Sequence, residues 1–283
     1  MNVNKAIILA GGRGTRFLPY TKTQPKEMLA VIDKPVIQLI VEEVVASGIR
    51  DICIVISNSK EQIKRHFSAD MQTEGTTTAN EDLKKLIEQV NFNYVYQPSV
   101  TGTASAVELC KDWLGSQPFA VLNGDDVVFG ENPALLQLIT KAEQTCCSVI
   151  GVQPVSEQDI CKYASCSVRQ LDQNSYKLLS IVEKPTPDKV QSLLSPLGRY
   201  VFTSDIFESI GKVLPTANGE RYLTDAINCL SATHDVVAYN FEGNRFDFGD
   251  KLGYVKGVTY YALHHAKYGK DYKDFVHNLL KKD

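Results

Sequence analysis

The chain has 283 residues, 43% hydrophobic and 22% charged, with 30 basic against 33 acidic side chains and a net charge of −3. That length supplies an ordinary globular core with no need of a disulfide or metal staple. The slight acidic excess argues against a dedicated nucleic-acid binder, whose footprint is strongly basic, and no apolar run approaches the roughly 20 residues of a membrane span, so neither nucleic acid nor a membrane is an expected partner.

Residues 5–9 are the first predicted strand and run into a glycine-rich turn. Helical periodicity over 36–47 ends at Gly48, a plausible C-cap. A second strand, 51–56, leads through Ser57-Asn58-Ser59, read as a cap, into a helix over 60–67. Residues 70–80 are polar and threonine-rich and read as a mobile loop, followed by a helix over 83–90. A strand at 92–96, a helix at 104–113 and a strand at 119–122 continue the alternation. Such alternation predicts βαβ units and a mainly parallel sheet, with ligands at the C-terminal strand ends. From Ser148 the pattern becomes β-rich, with strands over 148–154, 164–171, 177–183 and 198–203 among Pro185, Pro187 and Pro196. A helix over 223–230 and a helical tail from Leu252 follow. The opening MNVNKAIILAGG is too short for a secretory leader. The seven cysteines include no C-x-x-C pair, and Cys161 and Cys166 with His264 and His265 match no zinc spacing. The reducing cytoplasm is the expected compartment.

The sharpest chemical signal is Ala10-Gly11-Gly12-Arg13-Gly14-Thr15-Arg16, directly after the first strand. Clustered glycines let backbone N–H groups close on an anion, and Arg13 and Arg16 add donors suited to phosphate. No Gly-Lys-Ser/Thr follows, so this is not a P-loop, and Phe17 stands where a dinucleotide fingerprint needs its last glycine. Pro25 keeps Lys26 on irregular backbone close to that loop, where a lysine meets phosphate as a point charge. Gly124-Asp125-Asp126 follows the buried strand 119–122, which puts carboxylates at a C-terminal strand end. Oxygen ligands of that kind suit Mg²⁺; a capped turn is the plainer alternative.

Further motifs follow in order over nearly the whole chain: Pro25-Lys26-Glu27-Met28-Leu29, Asp33-Lys34-Pro35 with Gln38, Gln97 with Gly102, Glu183-Lys184-Pro185, Gly198-Arg199-Tyr200, Leu223-Thr224-Asp225-Ala226 and Phe246-Asp247-Phe248-Gly249-Asp250. With the glycine loop, this set resembles the sugar-1-phosphate nucleotidyltransferases. The resemblance implies an α/β, Rossmann-like nucleotidyltransferase fold: a mixed, mainly parallel central sheet flanked by helices, a β-rich sugar-binding section and a C-terminal helical segment. Residues 1–260 would form the catalytic domain, with 1–147 the nucleotide-binding part and 148–260 the sugar-phosphate part; 261–283 would be a helical tail. The Lys26-Glu27-Met28 form with Asp33-Lys34-Pro35 and Gln38 is most similar to the branch that takes UTP and glucose 1-phosphate. That branch makes UDP-glucose and pyrophosphate with Mg²⁺ and commonly assembles as homodimers or homotetramers.

By the same resemblance, Arg16, Lys26 and Lys184 would be catalytic. Ala10, Gly11, Gly12, Gly14, Thr15, Glu27, Gln97 and Gly102 would bind the nucleotide. Asp125, Ala164, Glu183 and Lys184 would bind the sugar phosphate, and Asp125 and Asp247 would hold the metal, with Asp126 capping its turn. Thr224 or Asp225 reads as a helix N-cap. The chain departs from the family pattern at Ala164, where a glycine is usual, at Ala104, where a second glycine is common, and at Arg221-Tyr222, which replace Ile-Gln. A dTTP-using relative and a non-catalytic nucleotide-sugar-binding regulator are the alternatives. Retention of Arg16, Lys26, Asp125, Lys184 and Asp247 argues against the regulator, and a uracil–thymine choice turns on one methyl, about 1–3 kcal/mol.

Overall fold

A computed structural model describes residues 1–68 and 78–281. The chain begins with β1 (Lys5–Leu9), then the short pair β2 (Ala30–Val31) and β3 (Lys34–Pro35), α1 (Val36–Ala46), β4 (Asp51–Ile56) and α2 (Glu61–His66). It continues through α3 (Thr78–Gln89), β5 (Asn91–Tyr96), α4 (Thr103–Glu108), α5 (Lys111–Leu114), β6 (Phe119–Asn123), β7 (Asp126–Phe129) and α6 (Ala134–Thr145). The second half carries β8 (Ser148–Pro154), β9 (Ala164–Gln170), β10 (Ser175–Glu183), β11 (Leu194–Phe202), α7 (Ile206–Lys212), α8 (Leu223–Ser231), β12 (Val236–Asn240), β13 (Asn244–Asp247), α9 (Lys251–His264) and α10 (Gly269–Leu280).

Nine strands form one sheet in the order β5-β4-β1-β6-β11-β8-β12-β10-β9. The first four are parallel, and only β11 and β10 run against the common direction. The sheet is thus mixed and mainly parallel, as the sequence predicts. Alternation along β1 explains its place at the centre: Ala6 and Ile8 face the core side carrying Ile37, Ile40, Val41 and Val44 of α1. Ile7 faces the opposite side with Val107 of α4, Ile210 of α7 and Ile227 of α8. A strand covered on both faces reads as a continuous apolar run, as Lys5–Leu9 does. Each fully buried isoleucine is worth about 1.5–3 kcal/mol over an exposed one.

Several elements depart from expectation. Helices α6 and α7 and strand β12 are absent from the sequence reading, and β7 pairs with β13 in a separate two-stranded sheet. The helix predicted over 104–113 is two helices, α4 and α5; Cys110 at the break is fully buried, 3.6 Å from Cys53 Sγ. Ser57 and Ser59 bond each other rather than capping α2, whose N-cap is Lys60. Of the loop predicted over 70–80, residues 78–80 open α3 and the rest lie outside the described residues.

Candidate active site

The parallel neighbours β1, β4, β5 and β6 end at one edge, at Leu9, Ile56, Tyr96 and Asn123. The glycine loop, Ser57, Gln97 and Gly124-Asp125 therefore emerge together. A cavity of about 430 Å³ opens there, lined by Gly11, Gly12, Arg13, Lys26, Lys60 and Gln97 among others. The Gln97 side chain is 5% exposed and donates from Nε2 to Gly102 O and Thr101 Oγ1, both at 3.3 Å. Its Oε1 lies 2.6 Å from where a Cβ on Gly11 would sit, so a side chain there would displace the amide. Gly102 has φ +94°, and a Cβ there would lie 2.2 Å from Arg221 O; both the conformation and the space demand glycine.

Below the loop sits a buried ion pair absent from the sequence expectations. Lys60 Nζ donates to both Glu27 carboxylate oxygens at 2.8 Å and to Ala10 O at 2.6 Å. Glu27 is 1% exposed and Lys60 5%. Burial pushes the Glu27 carboxyl up and the Lys60 ammonium down, and their mutual attraction opposes both shifts. Ala10 N–H donates to Val55 O at 2.9 Å. Ala10, Glu27, Gly14, Thr15 and Gly102 line neither this cavity nor its neighbour.

A second cavity, about 260 Å³, is lined by Arg16, Asp125, Tyr163, Ala164, Glu183, Lys184, Tyr222, Arg245 and Asp247 among others. Its boundary with the first is the Lys26–Asp125 ion pair. Burial would pull the Lys26 ammonium down, but Asp125, Glu27 and Asp247 outweigh it and raise it. Burial likewise opposes ionisation of Asp125, and Lys26 overcomes it, so that carboxyl is held below its usual range. The sharp turn Gly124-Asp125 and the end of β13 bring Asp125 and Asp247 together. A Cβ on Gly249 would lie 2.6 Å from Asp125 Oδ2 and 2.9 Å from Asp247 Oδ1. The missing side chain thus leaves a small space ringed by hard oxygens. Among the described residues no group of three or more His, Cys, Asp or Glu side chains could hold an ion. Two carboxylates completed by phosphate oxygens and water nevertheless match the habit of Mg²⁺, so the residues present fit that ion.

Asp247 is held by a relay. Arg245 precedes it by two residues on β13, hence on the same face. The Arg245 guanidinium donates to both Asp126 carboxylate oxygens, from Nε to Oδ1 and from Nη2 to Oδ2 at 2.9 Å, and stacks 4.6 Å from the Tyr163 ring centre. Tyr163 OH donates to Asp247 Oδ2 at 3.1 Å. Burial, then the nearby Asp126 charge, raises the Asp247 carboxyl, and Arg245 opposes them. Asp126, expected to cap its turn, is instead the first residue of β7 and the anchor for Arg245, because it pairs in register with Asp247. Behind it Arg199, fully buried, donates to both Glu43 carboxylate oxygens at 3.0 and 2.6 Å and to Asp126 O at 2.7 Å.

Glu183 ends β10 opposite Ala164, and Thr224 Oγ1 donates to its Oε2 at 3.0 Å. Thr224 therefore does not cap α8, whose N-cap is Tyr222 with no side-chain cap bond. Burial raises the Glu183 carboxyl, and Thr224 and Lys184 oppose the shift. Lys184 has φ +43°, a rare and strained conformation for a side-chain-bearing residue, and its N–H donates to Tyr163 O at 2.7 Å. Lys60, Arg245, Tyr163 and Tyr222 are among the cavity residues the expected set omits. The place of Lys60 in the turn after the parallel strand β4 and the i, i+2 spacing of Arg245 and Asp247 are the available signals.

A family described as nucleotidyl transferase matches residues 5–262, and the chain belongs to it. UTP–glucose-1-phosphate uridylyltransferase of Bacillus subtilis (strain 168) is 41% identical, over 99% of this chain and 98% of the relative. UTP–glucose-1-phosphate uridylyltransferase 2 of Staphylococcus saprophyticus is 43% identical, over 98% of each. Among solved structures, UDP-glucose pyrophosphorylase complexed with UDP-glucose matches with a TM-score of 0.87 and 33% identity, over 92% of this chain and 98% of that one. UTP-bound UGPase from Acinetobacter baumannii matches with a TM-score of 0.86 and 35% identity, over 97% and 99%.

Proposed function

We propose that this protein joins UTP and glucose 1-phosphate to give UDP-glucose and pyrophosphate. The observation that carries the reading is the meeting of Asp125, Asp247 and Lys26 between two cavities, in a chain matched end to end by relatives named for that reaction. Residues 1–147 would serve the nucleotide, 148–260 the sugar phosphate, and 261–283 would be an appended tail.

In this reading an oxygen of the sugar phosphate attacks the α-phosphorus of UTP in line. One P–O bond forms as the α–β bridging bond breaks, and pyrophosphate leaves with the bonding electrons. No general base is needed, because a phosphate monoester is largely dianionic at neutral pH. Positioning and charge stabilisation carry the rate. The glycine loop and Gln97 bind and orient the nucleotide. Arg16 and Lys26 hold the triphosphate and stabilise the leaving group, and Lys26 stays protonated because Asp125 is beside it. Glu183 accepts from sugar hydroxyls and Lys184 meets the attacking phosphate. Asp125 and Asp247 would hold Mg²⁺, which when bound polarises phosphate oxygens as a Lewis acid. Exposed Phe275, Leu279 and Leu280 on α10 support a homodimer or homotetramer, and the cytoplasm is the proposed compartment.

The test is pyrophosphate release across four nucleoside triphosphates and several sugar 1-phosphates. Release from UTP with glucose 1-phosphate well above every other pair is expected. Equal or faster release from another pair, dTTP included, overturns the substrate assignment.

A further inference from the structure

Lys184 is placed with care but held loosely. Its backbone is strained at φ +43° and tied to Tyr163 O. Its side chain is 51% exposed, and the ion pair it forms among the described residues is with Glu183, at 3.8 Å. The other feature beside its ammonium is the ring of Tyr222, 5.4 Å from Nζ to the ring centre. That ring lines the same cavity as Lys184, Glu183 and Asp247.

The backbone on either side of Tyr222 is fastened. Arg221 N–H donates to Thr101 O at 2.8 Å, Arg221 O accepts from Ala104 N–H at 3.0 Å, and Leu223 N–H donates to Thr103 Oγ1 at 2.9 Å. The Arg221 side chain binds Ser105 and Glu108, locking the same segment to α4. Tyr222 is therefore a fixed wall, whereas a lysine is a point charge on a flexible four-carbon stem. The negative face of an aromatic ring attracts an ammonium, more strongly as water is excluded, and an arriving substrate would exclude it here.

We propose that Tyr222 is a positioning residue for the sugar phosphate: its ring face holds the Lys184 ammonium over the cavity, where it meets the phosphate of the incoming sugar. This rests on the reading above that Lys184 faces that phosphate. A leucine at 222 keeps apolar bulk and loses the π face; a phenylalanine keeps the face and loses the hydroxyl.

The experiment compares wild type, Tyr222→Phe, Tyr222→Leu, Lys184→Met and the Tyr222→Leu/Lys184→Met double variant. Steady-state KM for glucose 1-phosphate and for UTP is read in each, with thermal midpoints alongside. Tyr222→Leu should raise the KM for glucose 1-phosphate roughly three- to tenfold, the factor of a partly desolvated cation–π contact. Its KM for UTP should stay unchanged, and Tyr222→Phe should match wild type. In the Lys184→Met background Tyr222→Leu should add nothing, because the ring acts through the lysine. The proposal is overturned if Tyr222→Leu shifts both KM values alike, if it costs the same factor without Lys184, or if Tyr222→Phe is as damaging. Failure of the parent reading is separate: wild type would release no pyrophosphate from this pair. The same cycle is then read from calorimetric binding of glucose 1-phosphate, and its coupling decides the proposal there.

Discussion

The two cavities are built by different means. The first is lined by a glycine loop that follows β1, with side chains such as Lys26, Lys60 and Gln97 gathered at the ends of parallel strands. The second is lined by side chains from β10, β13 and the start of α8, several of them held by another side chain: Glu183 by Thr224, Asp247 by Tyr163 and Asp126 by Arg245. One buried ion pair braces each side, Lys60–Glu27 under the loop and Arg199–Glu43 behind Asp126. A glycine loop needs little beyond local chain geometry. Side-chain recognition needs long-range scaffolding, and Arg199 and Arg245 supply it.

The largest expected effect lies where the two sides meet. Asp125→Asn keeps the shape and removes the charge, and kcat for pyrophosphate release should fall ~10³-fold or more while circular dichroism is unchanged. Turnover near wild type with Mg²⁺ would sink the role given to Asp125. Next come the two braces. Lys60→Met leaves the Glu27 carboxyl buried and unpaired, and should cost about 3–5 kcal/mol in urea denaturation. Lys60→Met with Glu27→Leu should recover most of that stability, yet KM for UTP should stay raised because Ala10 O has lost its tether. Arg199→Met should cost a similar amount but damage the KM for glucose 1-phosphate instead. If both variants raised both KM values equally, the division into two separately braced sides would fail.

A smaller effect is expected at the clasp between the sides. Gly102→Ala forces a side chain at φ +94° against Arg221 O, and should cost about 1–3 kcal/mol with a raised KM for UTP. The smallest concerns His66 on α2, whose Nε2 bonds Gln38 Oε1 at 2.9 Å. Burial lowers its pKa from 6.5 to about 4. A depressed folded-state value means the neutral form is favoured on folding, so its contribution is full above pH 6.5 and drains away as pH falls towards 4. His66→Gln should flatten the urea midpoint across that window relative to wild type; an unchanged slope would remove His66 from the account.

The legibility of each side follows from how it is built. Strand 5–9, the loop after it and the alternation through β6 were readable because apolar period and glycine spacing are local signals. Asp126 and Thr224 were read as caps, since Asp and Thr at turns usually bond nearby backbone; here their partners are Arg245 and Glu183, which are remote in sequence. Lys60 opens a predicted helix, and nothing within ten positions of it announces Glu27.

By itself the amino-acid sequence determined the alternating α/β order, the buried parallel strands and the glycine loop, because each follows from short-range sterics and from which residues avoid water. Its ordered motifs also carried the family. Only the tertiary structure decided that Asp125 and Asp247 share the space Gly249 leaves, that Lys60 neutralises Glu27 and that Tyr222 lies beside Lys184. Those meetings depend on which distant strands pair and in what register, and register is set by the packing of the whole sheet rather than by any one segment.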